Sequence, residues 1–274
     1  MQNLPPDQPG DSTQSSAFRN VISVWGDNDP VAAAAYVQQN LDPNDPNAAG
    51  LASRIAGRWA QVDTTAALNW AATLPEGPEQ DNALRSAVQQ MSSSDPQAAW
   101  TYAQNLPDSS NRDQILSSVI GAWANQDPAA ASTLINALPD GSGYTQTVAN
   151  LANSWVQQDP IAASQWIATL PGGEARDQAV DRMLTSQAQY DPVTSMEWAV
   201  TIDNPGIRNN QVRSVALQLA KRDPGGAVAA VQNANLSLDQ ANQIIDQIQN
   251  QLNNPGGSKG APPPPPPQNI KSFQ

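Results

Sequence analysis

The chain of 274 residues contains neither cysteine nor histidine. Their absence excludes disulfides, thiolate chemistry, zinc sites of the Cys/His type and a Ser-His-Asp triad. Basic residues are few as well, with 13 Lys and Arg against 25 Asp and Glu and a formal net charge of −12. Contact with a nucleic-acid backbone needs clustered basic side chains, so the composition argues against a nucleic-acid partner.

Long apolar runs are also missing. The sequence lacks the run of about 18 apolar residues that a spanning helix needs, so we expect no insertion into a membrane. The opening sequence MQNLPPDQPGDSTQSS lacks the basic and apolar regions of a signal peptide. Few Lys, many Asn, Gln and Ser, and no Cys resemble exported bacterial proteins, which favours a periplasmic or secreted location without fixing it.

The sequence does contain a repeat, marked by an Asp that is usually followed by Pro. After a first copy at Asp29, which has a slightly longer spacing, this Asp recurs evenly at Asp63, Asp95, Asp127, Asp159, Asp191 and Asp223. A Leu-Pro pair keeps the same period, at Leu74, Leu106, Leu138 and Leu170. A fixed period of about 30 residues that joins helical patterns is typical of a stacked helical solenoid.

Each repeat predicts two helices around this corner. Helix A begins after the Asp, with Pro suited to its first position, and is mostly apolar at offsets +3, +4, +7, +8 and +11 from the Asp. Helix B precedes the Asp and is apolar at offsets −11, −8, −7, −4 and −3. Its start is predicted at a row of good N-cap residues, namely Asp81, Asp113, Thr145, Asp177 and Asn209. Tryptophan is concentrated at offsets −4 and +7, which we expect to join neighbouring hairpins.

The corner sequence WVQQDPIAASQWIATLP, residues 155–171, carries a resemblance. It resembles the α-solenoid class of TPR-like and HEAT-like helical-hairpin proteins, and more closely bacterial short hairpins with a W-x-x-x-D-P-x-A-A-x-x-W core. The repeat pattern itself predicts an all-α, right-handed superhelical αα-hairpin solenoid of about seven repeats plus capping helices, with 15 helices, one from the starter and two from each of seven hairpins. The resemblance implies a scaffold role.

Three segments follow from this reading. Residues 1–14 are predicted to be a disordered tail, 15–252 the repeat domain, and 253–274 a Gly/Pro-rich tail with six consecutive prolines in the polyproline II form. The proline run is typical either of a spacer or of a ligand for an SH3-, WW- or profilin-type domain.

Repeated positions serve the fold, so exposed positions that vary are free to serve function. We predict offsets +2, +5, +6 and +9 of helix A to face outward, where Glu197 is the only charge. If helix A lines the concave face, this face suits an extended peptide or an element of another protein. The candidate protein-binding residues are Leu68, Trp100, Gln104, Gln165, Met196 and Glu197. The alternative is that the apolar +5 residues, Leu68, Trp100 and Met196, pack on the next repeat.

The function predicted is a non-catalytic protein- or peptide-binding scaffold that is monomeric and needs no cofactor or metal. One alternative is a structural spacer that links partners at its two tails. Another is a hydrolase of glycans or peptides, which would need two acids facing each other across a cleft. The recurring Asp residues are interpreted as helix caps, and no acid/base constellation is evident, so we expect no enzyme activity.

Overall fold

The computed structural model describes residues 20–22, 24–40, 48–253 and 271, and every regular element among them is helical. The predicted all-α class is therefore confirmed for the described part of the chain. The predicted N-terminal tail lies outside the described residues, as does the predicted C-terminal tail apart from Asn253 and Lys271.

The chain divides into two compact units, residues 1–123 and 124–274. The first unit begins with helical backbone at 20–22 and 24–28, which we name the starter segment. Its further helices are α1 (Pro30–Asn40), α2 (Ala48–Ala60), α3 (Thr64–Thr73), α4 (Pro78–Ser94), α5 (Pro96–Gln104) and α6 (Ser110–Ala124), the last of which ends at the boundary.

The second unit continues the alternation of short and long helices. Its elements are α7 (Pro128–Ser132), a 3-10 turn (Ile135–Ala137), α8 (Ser142–Gln158), α9 (Pro160–Thr169), α10 (Glu174–Gln187), α11 (Pro192–Ala199), α12 (Pro205–Leu219), α13 (Pro224–Gln232) and α14 (Leu238–Asn253). Odd-numbered helices are the predicted helices A, and the starter segment and even-numbered helices are the helices B.

The Asp corner joins helix B to helix A without a loop. At Asp159 the backbone N–H bonds the carbonyl of Trp155, the side chain accepts from the N–H groups of Ile161 and Ala162, and the carbonyl accepts from Ala163. One residue thus ends one helix and starts the next. Side-chain caps of this kind form at all seven corners, Asp29, Asp63, Asp95, Asp127, Asp159, Asp191 and Asp223.

Aromatic residues at offsets −4 and +7 meet across the corner. Ring centroids lie 6.1 Å apart for Trp59 and Trp70, and 5.5 Å apart for Trp155 and Trp166. Trp25 and Tyr36 form the same pair at the first corner, 5.6 Å apart. These tilted pairs hold together the last helix of one hairpin and the first helix of the next, as predicted for offsets −4 and +7.

Within each unit the long helices B stack on one another, and the short helices A flank them. Helix α2 packs on α4 in the first unit, and α8, α10, α12 and α14 pack in sequence in the second. Each of α3, α9, α11 and α13 contacts the helix B on either side of it. The alanine at offset +4 is fully buried at six of the seven corners, at Ala33, Ala67, Ala99, Ala131, Ala163 and Ala227, which permits this close approach.

Two local predictions were wrong. Helices B begin about one turn before the predicted caps, because Gly77, Gly141 and Gly173, with φ of +126 to +142°, let the chain enter the helix earlier. The predicted cap residues lie in the first or second helical turn instead. After Asp127 the predicted single helix A is broken into α7 and the 3-10 turn, whose Ile135 supplies the buried side chain.

Candidate binding surface

The buried face of helix A is rotated by about one residue position from the face predicted from its alanines. Offsets +1, +4, +5 and +8 form one face, since residues three and four apart are neighbours on a helix. Leu68, Trp100 and Met196 at offset +5 are therefore only 3, 4 and 6% exposed. The expectation that they face outward was wrong, and their burial agrees with the alternative that they pack on the next repeat.

The polar candidates do lie on the surface. Gln104 on α5, Gln165 on α9 and Glu197 on α11 are exposed. Gln104 belongs to the first unit, whereas Gln165 and Glu197 share offset +6 on two successive helices A of the second unit. The sequence-predicted set is thus divided into three buried side chains and three exposed ones.

Lys271 is hydrogen-bonded to two helices A of the second unit. The backbone N–H of Lys271 donates to the hydroxyl Oγ of Ser164 at 3.1 Å, and its carbonyl accepts from the indole Nε1 of Trp198 at 2.8 Å. Ser164 is at offset +5 on α9 and Trp198 at offset +7 on α11. Two helices A thus bind both main-chain groups of one residue, while the residue itself is exposed. We name Ser164 and Trp198 the main-chain clamp.

The local helix structure presents Ser164 as an acceptor. Its hydroxyl donates to the carbonyl of Ile161, one helical turn earlier, at 2.8 Å. The hydroxyl hydrogen is thereby committed, and a lone pair remains for the N–H of Lys271. Ser132 at the same offset on α7 makes the equivalent bond to Ala129, at 2.7 Å.

Trp198 is fixed from the neighbouring helix B. The buried Arg176 on α10 donates to the carbonyl and to the hydroxyl of Thr201, at 3.1 and 3.0 Å. Its guanidinium carbon lies 5.8 Å from the centre of the Trp198 ring, a cation–π contact. Thr201 in turn donates to the Trp198 carbonyl at 2.8 Å, so this trio holds the indole in place.

Asp177 supports the same region, although the sequence predicted it as a helix cap. Its carboxylate, 1% exposed, accepts from the backbone N–H groups of Asp203 and Asn204 at 2.9 and 2.7 Å. Asn204 then caps α12 by accepting from Gly206 and Ile207. Asp177 therefore anchors the connection from α11 to α12.

A separate open groove of about 740 Å³ lies along α5 in the first unit. Met91 and Tyr102 line it at offsets −4 and +7, where the corners at Asp63 and Asp159 each have two tryptophans. Methionine is narrower than an indole, and it leaves space at this corner. Burial raises the pKa of Tyr102 above its ordinary 10.0.

The first unit also has a buried indole donor, Trp70, comparable to Trp198 of the second unit. It lies at offset +7 on α3, the offset of Trp198, and its Nε1 has no hydrogen-bond partner among the described residues. Buried N–H groups are normally paired, so an unpaired one on helix A requires explanation.

No cluster of three or more carboxylates in the described part of the chain could hold a metal ion. Of the helices described, none has the length and apolar content needed to cross a membrane. Comparisons with protein-family models, curated proteins and solved structures gave no match for this chain. The contacts of the chain itself therefore carry the functional interpretation.

Proposed function

We propose that the chain is a non-catalytic scaffold that binds an extended peptide, or an extended segment of a protein, on the face formed by its helices A. In this proposal the helical hairpins form a right-handed superhelical solenoid of about seven repeats with capping helices. The protein acts as a monomer and needs no cofactor.

The local packing supports the solenoid. The Asp corners recur at an even spacing from Asp63 onward, and α3, α9, α11 and α13 each contact both flanking helices B. Successive helices B also contact one another within each unit. Such nearest-neighbour packing is typical of repeat proteins. The opening helices and the amphipathic α14, which buries Ile244 and Ile248, suit the role of caps.

The contact between Lys271 and the main-chain clamp carries the functional proposal. An N–H and a carbonyl of one residue find an acceptor and a donor on two different helices A. Recognition of extended peptides by main-chain hydrogen bonds is a common binding mode. Trp70, with its unpaired buried N–H, offers a second donor of the same type.

The corner carboxylates support a non-enzymatic role. Each corner Asp accepts backbone N–H bonds at the start of a helix A, so its carboxylate has a structural duty. Asp177, a further buried carboxylate, is likewise occupied by two backbone N–H groups. A glycosidase pair would instead require two free carboxyl groups facing a substrate.

Selection of random extended peptides on the full chain tests the proposal. Selected peptides should lose affinity for the Trp198→Phe variant, which keeps an aromatic ring but lacks the N–H donor. Trp166→Phe, at the same offset on α9, is the matched control and should bind as the unmodified chain does. Failure to select any peptide, or equal loss in both variants, would contradict the proposed function.

A further inference from the structure

We infer that the open groove along α5 binds the tryptophan side chain of an extended peptide in which a basic residue lies next to that tryptophan. The inference deepens the proposed function and rests on it, because it names what a bound peptide carries. The groove belongs to the first unit, whereas the main-chain clamp belongs to the second.

Other corners of the chain show which group fits this place. At three of them a tryptophan at offset −4 lies against the aromatic residue at offset +7, with ring centroids 5.6, 6.1 and 5.5 Å apart. In the first of these pairs the partner of Trp25 is a tyrosine, Tyr36. The Asp95 corner also has a tyrosine at offset +7, Tyr102, but Met91 stands at offset −4.

Tyr102 therefore lacks the ring partner that its offset has elsewhere. No aromatic ring of the described residues pairs with it. Tyr102 and Met91 are both half-buried, and both line the groove of about 740 Å³. This volume lies within the range of ligand sites in proteins. An indole that enters the groove can lie against Tyr102 as Trp25 lies against Tyr36, so a tryptophan is the occupant that the repeats specify.

The charge of the groove favours a basic neighbour of that tryptophan. Asp95 carries the only formal charge among the described residues that line the groove. One oxygen of its carboxylate accepts from the N–H of Ala98 at 2.9 Å, and the other has no partner in the described part of the chain. A lysine or arginine beside the bound tryptophan can donate to this oxygen. The same carboxylate and the net charge of −12 repel an acidic neighbour.

The groove also has the length of a short extended segment. Its lining residues run along α5 from Gln97 to Asn105, a distance of about 12 Å, which corresponds to about four residues of extended chain. The side-chain amide of Asn105 donates to the carbonyl of Thr101 at 2.8 Å. Its oxygen therefore remains available to accept a peptide N–H.

Two substitutions at Met91 test the site in the full chain. Met91→Trp supplies the indole from the chain itself and fills the groove, whereas Met91→Leu keeps an aliphatic side chain of similar volume and is the matched control. A short capped peptide with adjacent tryptophan and lysine should bind the unmodified chain and Met91→Leu alike. It should bind Met91→Trp at least about tenfold more weakly. Equal affinity for all three chains would overturn the inference.

The ε-methyl resonance of Met91, assigned by its loss in Met91→Leu, reports on the groove in the unmodified chain. The ring current of a bound indole should shift this resonance, and the same peptide with alanine in place of tryptophan should leave it unchanged. Met183 and Met196, both buried in the second unit, are internal controls. If the tryptophan peptide does not shift the Met91 resonance, the inference is wrong, even where Met91→Trp fails to fold.

The role of Asp95 is tested by exchange of charge on both sides. Glutamate in place of the peptide lysine should weaken binding to the unmodified chain about two- to fivefold. Asp95→Asn retains a good helix cap without the charge, and it should reduce this preference. A preference of the same size in Asp95→Asn would overturn the choice of a basic neighbour.

The outcomes separate this inference from the proposed function. Selected peptides that depend on Trp198, with no response of Met91 to the tryptophan peptide, would overturn the groove and leave the scaffold in place. A response of Met91 would support the groove even if peptide selection at the clamp failed. Free indole that binds as tightly as the peptide would overturn a peptide as the occupant. A Met91 resonance that shifts with protein concentration alone would indicate a ring from a second copy, and would overturn it as well.

Discussion

Trp155 on α8 and Trp166 on α9 face each other across the corner at Asp159, with ring centroids 5.5 Å apart. The pair joins a long helix B to the short helix A that follows. Because Asp159 leaves no loop between the two helices, the tryptophans fill the inside of the corner. The packing of α8 against α9 at this corner therefore depends on one side chain from each helix.

Replacement of either tryptophan by alanine should destabilise the chain strongly. Trp155→Ala removes a nearly buried indole and leaves a cavity at the corner, at an expected cost of about 3–5 kcal/mol in the free energy of unfolding. Chemical denaturation monitored by circular dichroism measures it. Gln165→Ala, an exposed change on the neighbouring helix, is the control and should have little effect. A Trp155→Ala cost below about 1 kcal/mol would contradict the pairing.

The corner carboxylate should contribute less than the aromatic pair. Asp159→Ala removes the acceptor for two N–H groups at the start of α9, and we expect a loss of about 1 kcal/mol in unfolding free energy. Asp159→Asn retains a good N-cap and should be close to neutral. Equal losses in the two variants, measured by denaturant titration, would argue against the capping role.

Trp100 should behave as a core residue. It was a candidate surface anchor, but it is 4% exposed on α5, so Trp100→Ala should cost about 3–5 kcal/mol. Gln104→Ala, on the exposed face of the same helix, should leave the melting temperature nearly unchanged. Intact stability in Trp100→Ala would restore the interpretation of Trp100 as a surface residue.

Burial of Glu79 predicts a pH-dependent penalty. Its pKa is raised above the ordinary 4.5 because burial in the first turn of α4 disfavours the charged form. The folded state therefore holds the proton more tightly than the unfolded state. The penalty is present above the folded-state pKa and vanishes as the pH falls below about 4.5.

The matching experiment compares unfolding free energies at pH 7 and pH 4. Glu79→Gln should be more stable than the unmodified chain at pH 7, and this advantage should shrink on acidification. The exposed Glu76→Gln is the control for the loss of one negative charge. An advantage for Glu79→Gln that is constant with pH, or equal to that of Glu76→Gln, would show that burial of the Glu79 carboxylate does not cause the penalty.

The repeat made much of the helical fold predictable from the sequence. Asp-Pro corners and helix caps follow from local chemistry, since Asp accepts N–H bonds and Pro suits the first helical position. The starts of helices B were missed because Asp81 and Asp177 are also good capping residues. The positive φ of Gly77 and Gly173, which decides the start, is not visible in a polar loop sequence.

The face of helix A was harder to predict. Alanines at offsets +3 and +4 have the same hydrophobicity, so the sequence did not show which side of that pair was buried. A shift by one position turned Leu68, Trp100 and Met196 from the predicted surface into the core. Hydrophobic patterning gives the period of a helix more securely than its rotation.

The main-chain clamp could not be predicted from local patterns. Lys271 lies 107 residues from Ser164 and 73 from Trp198 along the chain, and the bonds use its backbone groups. Only two local signals were present, namely a Ser in place of Leu, Trp or Met at offset +5 and a Trp at offset +7. These two side chains form the clamp only in the folded chain, where α9 and α11 both reach Lys271.

The most direct test of the binding face compares two serines at offset +5 in the Lys271→Pro chain, in which residue 271 has no backbone N–H to donate to Ser164. Ser164→Ala removes the proposed acceptor for a peptide N–H, and Ser132→Ala removes a hydroxyl with the same bond to its own helix. The affinity of a selected extended peptide, measured by titration calorimetry, should fall about tenfold in Ser164→Ala. It should be unchanged in Ser132→Ala. Unchanged affinity in Ser164→Ala, or the same loss in both, would contradict the assignment of this face as the binding surface.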